Sequence, residues 1–146
     1  MYFVNQKQIE ETLEYMDKLL NELDKYNFDS LIEKLALQRM THLTIEAIID
    51  VGNMMIDGFI MRDPGSYEDI IDILVDERVL PEPEVNNYKE IISLRKMLVK
   101  EYLHVDDTHL IDSVMKNKEI LNNFSKHIRT YLQEETDVAH AFSNEK

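Results

Sequence analysis

The chain has 146 residues and 44% apolar side chains, enough for one domain with its own core, and its formal charge of −13 repels nucleic acid and anionic membranes at long range. The absence of cysteine excludes disulfides, thiolate chemistry and cysteine-ligated zinc sites. With no secretory signal pattern at its start and no stretch of apolar residues long enough to span a bilayer, the sequence predicts a soluble, cytoplasmic protein without a membrane partner.

The first half of the chain predicts two long amphipathic helices. Only three glycines and three prolines occur in the whole sequence, and apolar residues recur at spacings of three and four, which favours an all-α fold. The first helix is expected to follow the N-cap Asn5 and run to Lys25. The second is expected between Leu31 and Ile60, and its apolar residues are dense enough to make it the central helix. Its innermost residues are predicted to be Leu35, Met40, Leu43, Ala47, Ile48, Val51, Met55 and Phe59.

Polar residues interrupt this central helix at regular intervals. His42, Glu46 and Asp50 stand at i, i+4 and i+8, a spacing from which metal ligands can be built. Spaced polar residues on a long helix more often form its solvent-exposed stripe. No metal site is therefore predicted here.

A loop follows in residues 62–66, where Pro-Gly supplies the turn and Ser66 is expected to cap a short helix together with Asp69. That helix is predicted to end near Arg78. The next helix is predicted from Glu84 to Leu103.

The last helix is expected to begin at the capping residues 105–108 and to end near Glu134. Together the elements predict an antiparallel up-and-down bundle of four to five helices. The predicted domain covers residues 1–135, and residues 136–146 are expected to form a loose tail.

A basic segment stands out in this acidic protein. Residues 62–90 hold nine acidic and three basic side chains, whereas residues 95–100 hold Arg95, Lys96 and Lys100 and no acidic one. Arg95 and Tyr102 are seven residues apart, so on a continuous helix they would share a face, with Lys100 on another side. Ordinary surface charge on an amphipathic helix is the alternative interpretation.

Three stretches together resemble the HepT-like family of the HEPN superfamily, which consists of small all-helical proteins. The first comprises residues 36–39 and 45–53 of the central helix, and the second comprises Ser66-Tyr67 with residues 73–74 and 79–81. The third is the basic segment, where the family pattern is Arg, four residues, His, one residue, Tyr. The resemblance covers nearly the whole chain.

The resemblance implies a homodimeric helical bundle in which the motif lines a cleft between subunits and binds RNA or nucleotide phosphate. It also implies a toxin of a toxin–antitoxin pair that acts as a metal-independent endoribonuclease, with no cofactor. Its partner would be a nucleotidyltransferase antitoxin that neutralises it by adenylylating the motif tyrosine. By position, Arg95, Lys100 and Tyr102 match the catalytic residues, Arg95, Lys96 and Lys100 the phosphate-binding residues, and Tyr102 the modified residue.

The chain departs from the family pattern at Lys100, which stands where the family has histidine. An imidazole has an ordinary pKa of about 6.5 and exchanges protons at neutral pH, whereas a lysine, at about 10.4, stays charged. The site is therefore expected to bind phosphate but to be a degenerate, weak nuclease. His104 lies nine residues after Arg95 and falls outside the motif.

Two other functions remain open from the sequence. Glu101 and His104 form a Glu-x-x-His, the element of di-iron helical bundles, but such sites use two copies and the sequence holds one. The other is a non-catalytic helical interaction protein. Metal content would decide the first alternative.

Overall fold

The computed structural model describes the backbone of residues 4–144 and the side chains of residues 4–137. This part of the chain is all-α, and the predicted all-α helical bundle is confirmed. Three short 3₁₀ turns lie at Leu23–Lys25, Glu82–Glu84 and Tyr102–His104. The α-helices are α1 (Gln6–Glu22), α2 (Leu31–Gly58), α3 (Tyr67–Asp76), α4 (Val85–Ser93), α5 (Arg95–Val99) and α6 (Asp107–Asn144).

Helix α2 is the centre of the bundle, as its composition predicted. It packs against α1, α3, α5 and α6, and α4 packs against α3 and α6. Of the eight predicted innermost residues, Ala47, Ile48, Val51 and Met55 are buried, and Met40, Leu43 and Phe59 are partly buried. Leu35 is not, because the first turns of α2 project beyond the core and leave its side chain 51% exposed.

The predicted N-caps are present. Asn5 Oδ1 accepts the Gln8 amide at 3.1 Å, and Ser66 Oγ accepts the Asp69 amide at 3.1 Å. Ser30 and Glu33 form a reciprocal capping box at the start of α2. Local sequence therefore sets where these helices begin.

Helix α6 runs to Asn144, well beyond the predicted end at Glu134. No helix within residues 4–144 is both long and apolar enough to cross a membrane.

The helix predicted from Glu84 to Leu103 is divided, which corrects that prediction. The Ser93 hydroxyl donates to the Glu90 carbonyl at 2.6 Å, and the Leu94 amide turns to the Ile91 carbonyl, so the chain bends between α4 and α5. Helix α5 then ends after Val99. The single predicted helix is therefore two helices, α4 and α5.

The end of α5 is fixed by its own backbone. The Lys96 carbonyl accepts the amides of both Lys100, at 2.9 Å, and Glu101, at 3.2 Å, which closes the helix. The chain continues through the 3₁₀ turn at Tyr102–His104 before Asp106 caps α6. Tyr102 therefore does not share a helical face with Arg95, contrary to the expectation from a continuous helix.

Gly52 lets α2 and α3 approach closely. A Cβ at this position would lie 2.4 Å from Ile70 Cγ2. We expect Gly52→Ala to lower the free energy of unfolding by about 1 kcal/mol, because overpacking costs about 1–3 kcal/mol and the gain in helix propensity is about 1 kcal/mol. Thermal denaturation measures the change. Gly65→Ala is the matched control, since its Cβ would meet Asp69 at an ordinary 3.6 Å; equal melting temperatures for the two variants would contradict the prediction.

Candidate phosphate-binding site

Arg95 is held in place by two neighbouring helices. Its Nε donates a hydrogen bond of 2.7 Å to Glu46 Oε1 on α2, and its guanidinium carbon lies 4.7 Å from the ring centroid of Tyr67 on α3. The hydrogen bond to Glu46 raises the pKa of Arg95, so the guanidinium is charged at every physiological pH. A stacked, ion-paired arginine loses less side-chain freedom on binding a ligand than a free surface one.

The bond to Glu46 uses one of the five N–H donors of the guanidinium. No further hydrogen bond joins this guanidinium to the side chains of residues 4–137. Arg95 therefore has donors left for an anion.

An open groove of about 470 Å³ lies beside Arg95 and is called the Arg95 groove below. It brings together three positively charged side chains and one carboxylate, that of Glu68. Arg95 sits at its wall, and Lys96 and Lys100 are exposed at its edge. Its lining residues are Ser66, Tyr67, Glu68, Ile92, Ser93, Arg95, Lys96 and Lys100. The structure thus gathers the three basic residues singled out in the sequence into one concave surface.

Tyr102 lies apart from this groove. It begins the 3₁₀ turn after α5 and its side chain is 68% exposed. The Nζ of Lys96 lies 3.9 Å from Oε2 of Glu101, the residue before Tyr102. The phenol is accessible on the surface of the chain.

Glu46 connects Arg95 to a second titratable group. His42, one turn earlier on α2, places its Nε2 3.6 Å from the same Oε1 that accepts Arg95. The Nδ1 of His42 faces Arg39 Nη1 at 3.4 Å. A row of Arg39, His42, Glu46 and Arg95 therefore crosses from α2 to α5.

A small cavity of about 190 Å³, called the His42 cavity below, opens beside Arg39 and His42 in this row. Leu35, Gln38 and Arg39 of α2 line it with His42, and Leu98 of α5 forms the opposite wall. The cavity shows that the start of α2 lies alongside α5.

The metal alternatives find no support in this arrangement. Within the described side chains, no three histidine or carboxylate groups converge closely enough to hold an ion. Partial desolvation raises the pKa of Asp50, and the charge of Glu46 raises it further. The carboxylate of Glu46 is engaged by a guanidinium.

A larger groove, about 730 Å³, lies elsewhere, between the exit of α3 and α6. Carboxylates outnumber cations at its rim, which holds Asp72, Asp76, Glu82 and Glu134 against Arg78 and His127. Such a rim repels phosphate. For an anionic ligand, the smaller Arg95 groove is the better site.

Sequence reasoning did not find the partners of Arg95. In the sequence, Glu46 was assigned only to the polar stripe of the central helix, with no predicted contact. Tyr67 was noted only as part of a stretch that resembles the HepT-like family. The signal was the run of polar residues on an otherwise apolar central helix, but periodicity does not tell which neighbouring helix faces it.

Comparison with known proteins gives a consistent result. The family profile described as "Ribonuclease HepT-like" matches residues 9–128. A protein of Bacillus subtilis (strain 168) named "Putative RNase YutE" is 48% identical over 143 residues, which is 97% of this chain and 99% of that protein. The family resemblance inferred from the sequence is confirmed.

Two solved structures are similar to this fold. The one described as "Structure of Cytosolic Protein of Unknown Function YutE from Bacillus subtilis" has a TM-score of 0.90 and 49% identity, covering 92% of this chain and 95% of that chain. The other, "Crystal structure of the toxin-antitoxin with AMP-PNP", has a TM-score of 0.73 and 17% identity over 82% of this chain and 96% of that chain. The second likeness concerns the fold alone.

Proposed function

The chain belongs to the ribonuclease HepT-like family, and from this premise we propose that it is a toxin or toxin relative that binds RNA in the Arg95 groove and cleaves it weakly. The observation that carries the proposal is the fixed guanidinium of Arg95, bonded to Glu46, stacked near Tyr67 and facing a groove shared with two lysines. An arginine with free N–H donors suits a phosphodiester because its planar fork matches two phosphate oxygens.

The same geometry explains why cleavage is expected to be weak. Arg95 can stabilise charge that develops on a phosphate oxygen, but RNA cleavage also requires a group that takes or gives a proton near neutral pH. Lys100 occupies the motif position for that group, is exposed, and belongs to a residue type that stays protonated. The proposed site therefore retains binding and has lost part of its chemistry.

RNA binding tests this proposal. We expect Arg95→Ala to weaken binding of single-stranded RNA about tenfold to a hundredfold, because a hydrogen bond to a charged group contributes about 1.5–3 kcal/mol. Fluorescence anisotropy with a labelled, 2′-O-methylated RNA measures affinity without cleavage. Arg95→Lys, which keeps the charge and loses the fork, should fall between wild type and Arg95→Ala.

Lys116→Ala is the matched control, since it removes a positive charge from α6 outside the groove, where Lys116 pairs with Glu90. Arg95→Ala also leaves the Glu46 carboxylate without its ion-pair partner, and this negative charge could itself weaken RNA binding. The double variant Glu46→Gln, Arg95→Ala removes that charge, so that any remaining loss of affinity is due to the missing guanidinium. Equal RNA affinity for wild type and Arg95→Ala would refute the Arg95 groove as the binding site.

We propose further that the protein acts as a homodimer with the two copies of α5 facing each other. Large apolar side chains are exposed at the start of α2, namely Leu31, Ile32 and Leu35, and on the turn after α5, namely Leu103. Since Leu35 and Leu98 line one cavity, a second copy that covers these side chains also approaches α5. Pairing would bring two Arg95 grooves together and concentrate positive charge that one acidic chain holds sparsely.

Light scattering at micromolar concentration tests the dimer. We expect twice the chain mass of 17.3 kDa for wild type, and a shift toward the monomer for Leu35→Glu, which puts a charge into the apolar contact. Ile60→Glu is the control, because Ile60 is also exposed but follows the opposite end of α2. A wild-type monomer would remove the composite site.

The proposed partner is a nucleotidyltransferase antitoxin that modifies Tyr102. The exposure of Tyr102 and its position just after the basic segment support this assignment. Modification would add a negatively charged phosphodiester close to Lys96 and Lys100, which would oppose the binding of RNA.

A further inference from the structure

We propose that His42, a residue outside the family motif, is the proton-transfer group of this site and supplies the imidazole that Lys100 does not. This inference rests on the proposed RNA-cleaving function and assigns a further catalytic residue to it. It begins from the contact of two side chains with one atom: His42 Nε2 and Arg95 Nε both face Glu46 Oε1, at 3.6 Å and 2.7 Å. An imidazole and the phosphate-binding guanidinium are thus held side by side by one carboxylate.

The contacts of His42 indicate which ring nitrogen is basic. A guanidinium only donates hydrogen bonds, so Arg39 Nη1, 3.4 Å away, assigns the acceptor role to Nδ1. The proton of the neutral ring then lies on Nε2, toward Glu46. A carboxylate on one nitrogen with a lone pair on the other is the arrangement that orients a histidine as a general base.

The basic nitrogen can be reached by a ligand. Arg39 is an exposed side chain and its contact to Nδ1 is long for a hydrogen bond, so a ribose hydroxyl can replace it at low cost. His42 also lines the open His42 cavity. For this step the ribose of a phosphodiester bound by Arg95 must reach from the Arg95 groove to the His42 cavity, which adjoin the two ends of the row of charged side chains.

The charged groups around the ring favour this role. Glu46 and Arg39 flank it on α2, Arg95 approaches from α5, and Asp107 of α6 is bonded to Gln38 on the cavity wall. Glu46 stabilises the imidazolium that forms when the ring takes a proton, and the two arginines oppose it. The ring therefore faces charges of both signs.

The step balances as follows. The ribose 2′-oxygen bonds to phosphorus while its proton passes to His42 Nδ1, and the P–O5′ bond breaks with its electron pair going to O5′. Water protonates O5′, and the hydroxide left behind is neutralised by the proton that the imidazolium releases. The products are a 2′,3′-cyclic phosphate and a 5′-hydroxyl end, with no metal or redox partner.

The test compares cleavage and binding in the full-length protein. We expect His42→Gln to lower kcat for a single-stranded RNA at least about tenfold, the lower range of general-base catalysis, while its affinity for 2′-O-methylated RNA stays within about twofold of wild type. The wild-type rate should rise with pH, as expected for a general base, and this rise should be lost in His42→Gln. His109→Gln, an exposed histidine on α6, is the matched control. His42→Asn is the second variant if the first fails to fold by circular dichroism.

Cleavage by His42→Gln at the wild-type rate and with the wild-type pH profile overturns the inference. So does a wild type that binds RNA through Arg95 but cleaves it no faster than His42→Gln. An equal loss of binding and cleavage would make His42 a binding residue instead. The proposed function fails by a different result, namely RNA affinity that does not depend on Arg95.

Discussion

Lys100→His is expected to raise RNA cleavage by about 10²–10⁴-fold, the range that general acid–base catalysis supplies. Lys100 lies at the edge of the Arg95 groove, so an imidazole there would stand beside a bound phosphodiester. With His42 taking the 2′-hydroxyl proton, the introduced imidazole could protonate the 5′-oxygen in place of water. The rate of cleavage of a panel of labelled RNAs, with product ends determined by mass spectrometry, gives the measurement.

The pH profile distinguishes this explanation from a simple change in binding. A site with one base gives a rate that rises with pH and levels off, whereas a base and an acid together give a bell. We therefore expect the variant to be bell-shaped and the wild type to level off. Lys96→His is the matched control, since it replaces an adjacent groove lysine outside the motif position.

If Lys96→His raises the rate of RNA cleavage as much as Lys100→His does, the motif position of Lys100 has no particular role in catalysis. If neither variant exceeds wild type although both bind RNA, the family motif has been assigned to the wrong residues. Robust wild-type cleavage that survives Arg95→Ala would place the active site elsewhere on the bundle.

The fold followed from local signals that act over a few residues. Asn5, Ser30 and Ser66 each accept a backbone amide three residues ahead, and these short-range bonds define helix starts regardless of the rest of the chain. The density of apolar residues on α2 likewise predicted that it would be the central helix. Such features are visible in a sequence because their cause lies within one or two helical turns.

The division of the motif region depended on tertiary structure instead. Residues 84–103 contain neither glycine nor proline, and their apolar pattern is compatible with one helix. Leu94, at the junction of the two helices, is buried. Beyond the end of α5, the side chain of Gln38 on α2 donates a hydrogen bond to Asp107, the first residue of α6. No periodicity within residues 84–103 encodes that contact.

The candidate site shows the same division between local and long-range causes. Arg95, Lys96 and Lys100 were recognisable from their clustering in the sequence. Glu46 is 49 positions from Arg95, and its bond to the guanidinium exists only because α5 packs on α2. The helical spacing of His42 and Glu46 predicted that they share a face, but it did not predict that the face is shared with Arg95.

Tyr102→Phe is expected to abolish modification by a cognate nucleotidyltransferase, the second large effect. A phenol that attacks the α-phosphate of ATP must be accessible, and the side chain of Tyr102 is 68% exposed on the 3₁₀ turn after α5. The step joins the phenolic oxygen to the α-phosphorus, releases pyrophosphate and passes the phenolic proton to solvent. Loss of the hydroxyl leaves no nucleophile at this position.

Incubation with the nucleotidyltransferase and ATP, followed by peptide mass spectrometry, locates the added AMP. Tyr26→Phe is the matched control, because Tyr26 is also more than half exposed but lies after α1, outside the basic segment. Tyr67→Phe tests the tyrosine that contacts Arg95: it keeps the ring against the guanidinium and removes its hydroxyl. Labelling of Tyr102→Phe equal to wild type would show that Tyr102 is not the modified residue. AMP on Tyr67 would show the same and would place the modified residue in the lining of the Arg95 groove.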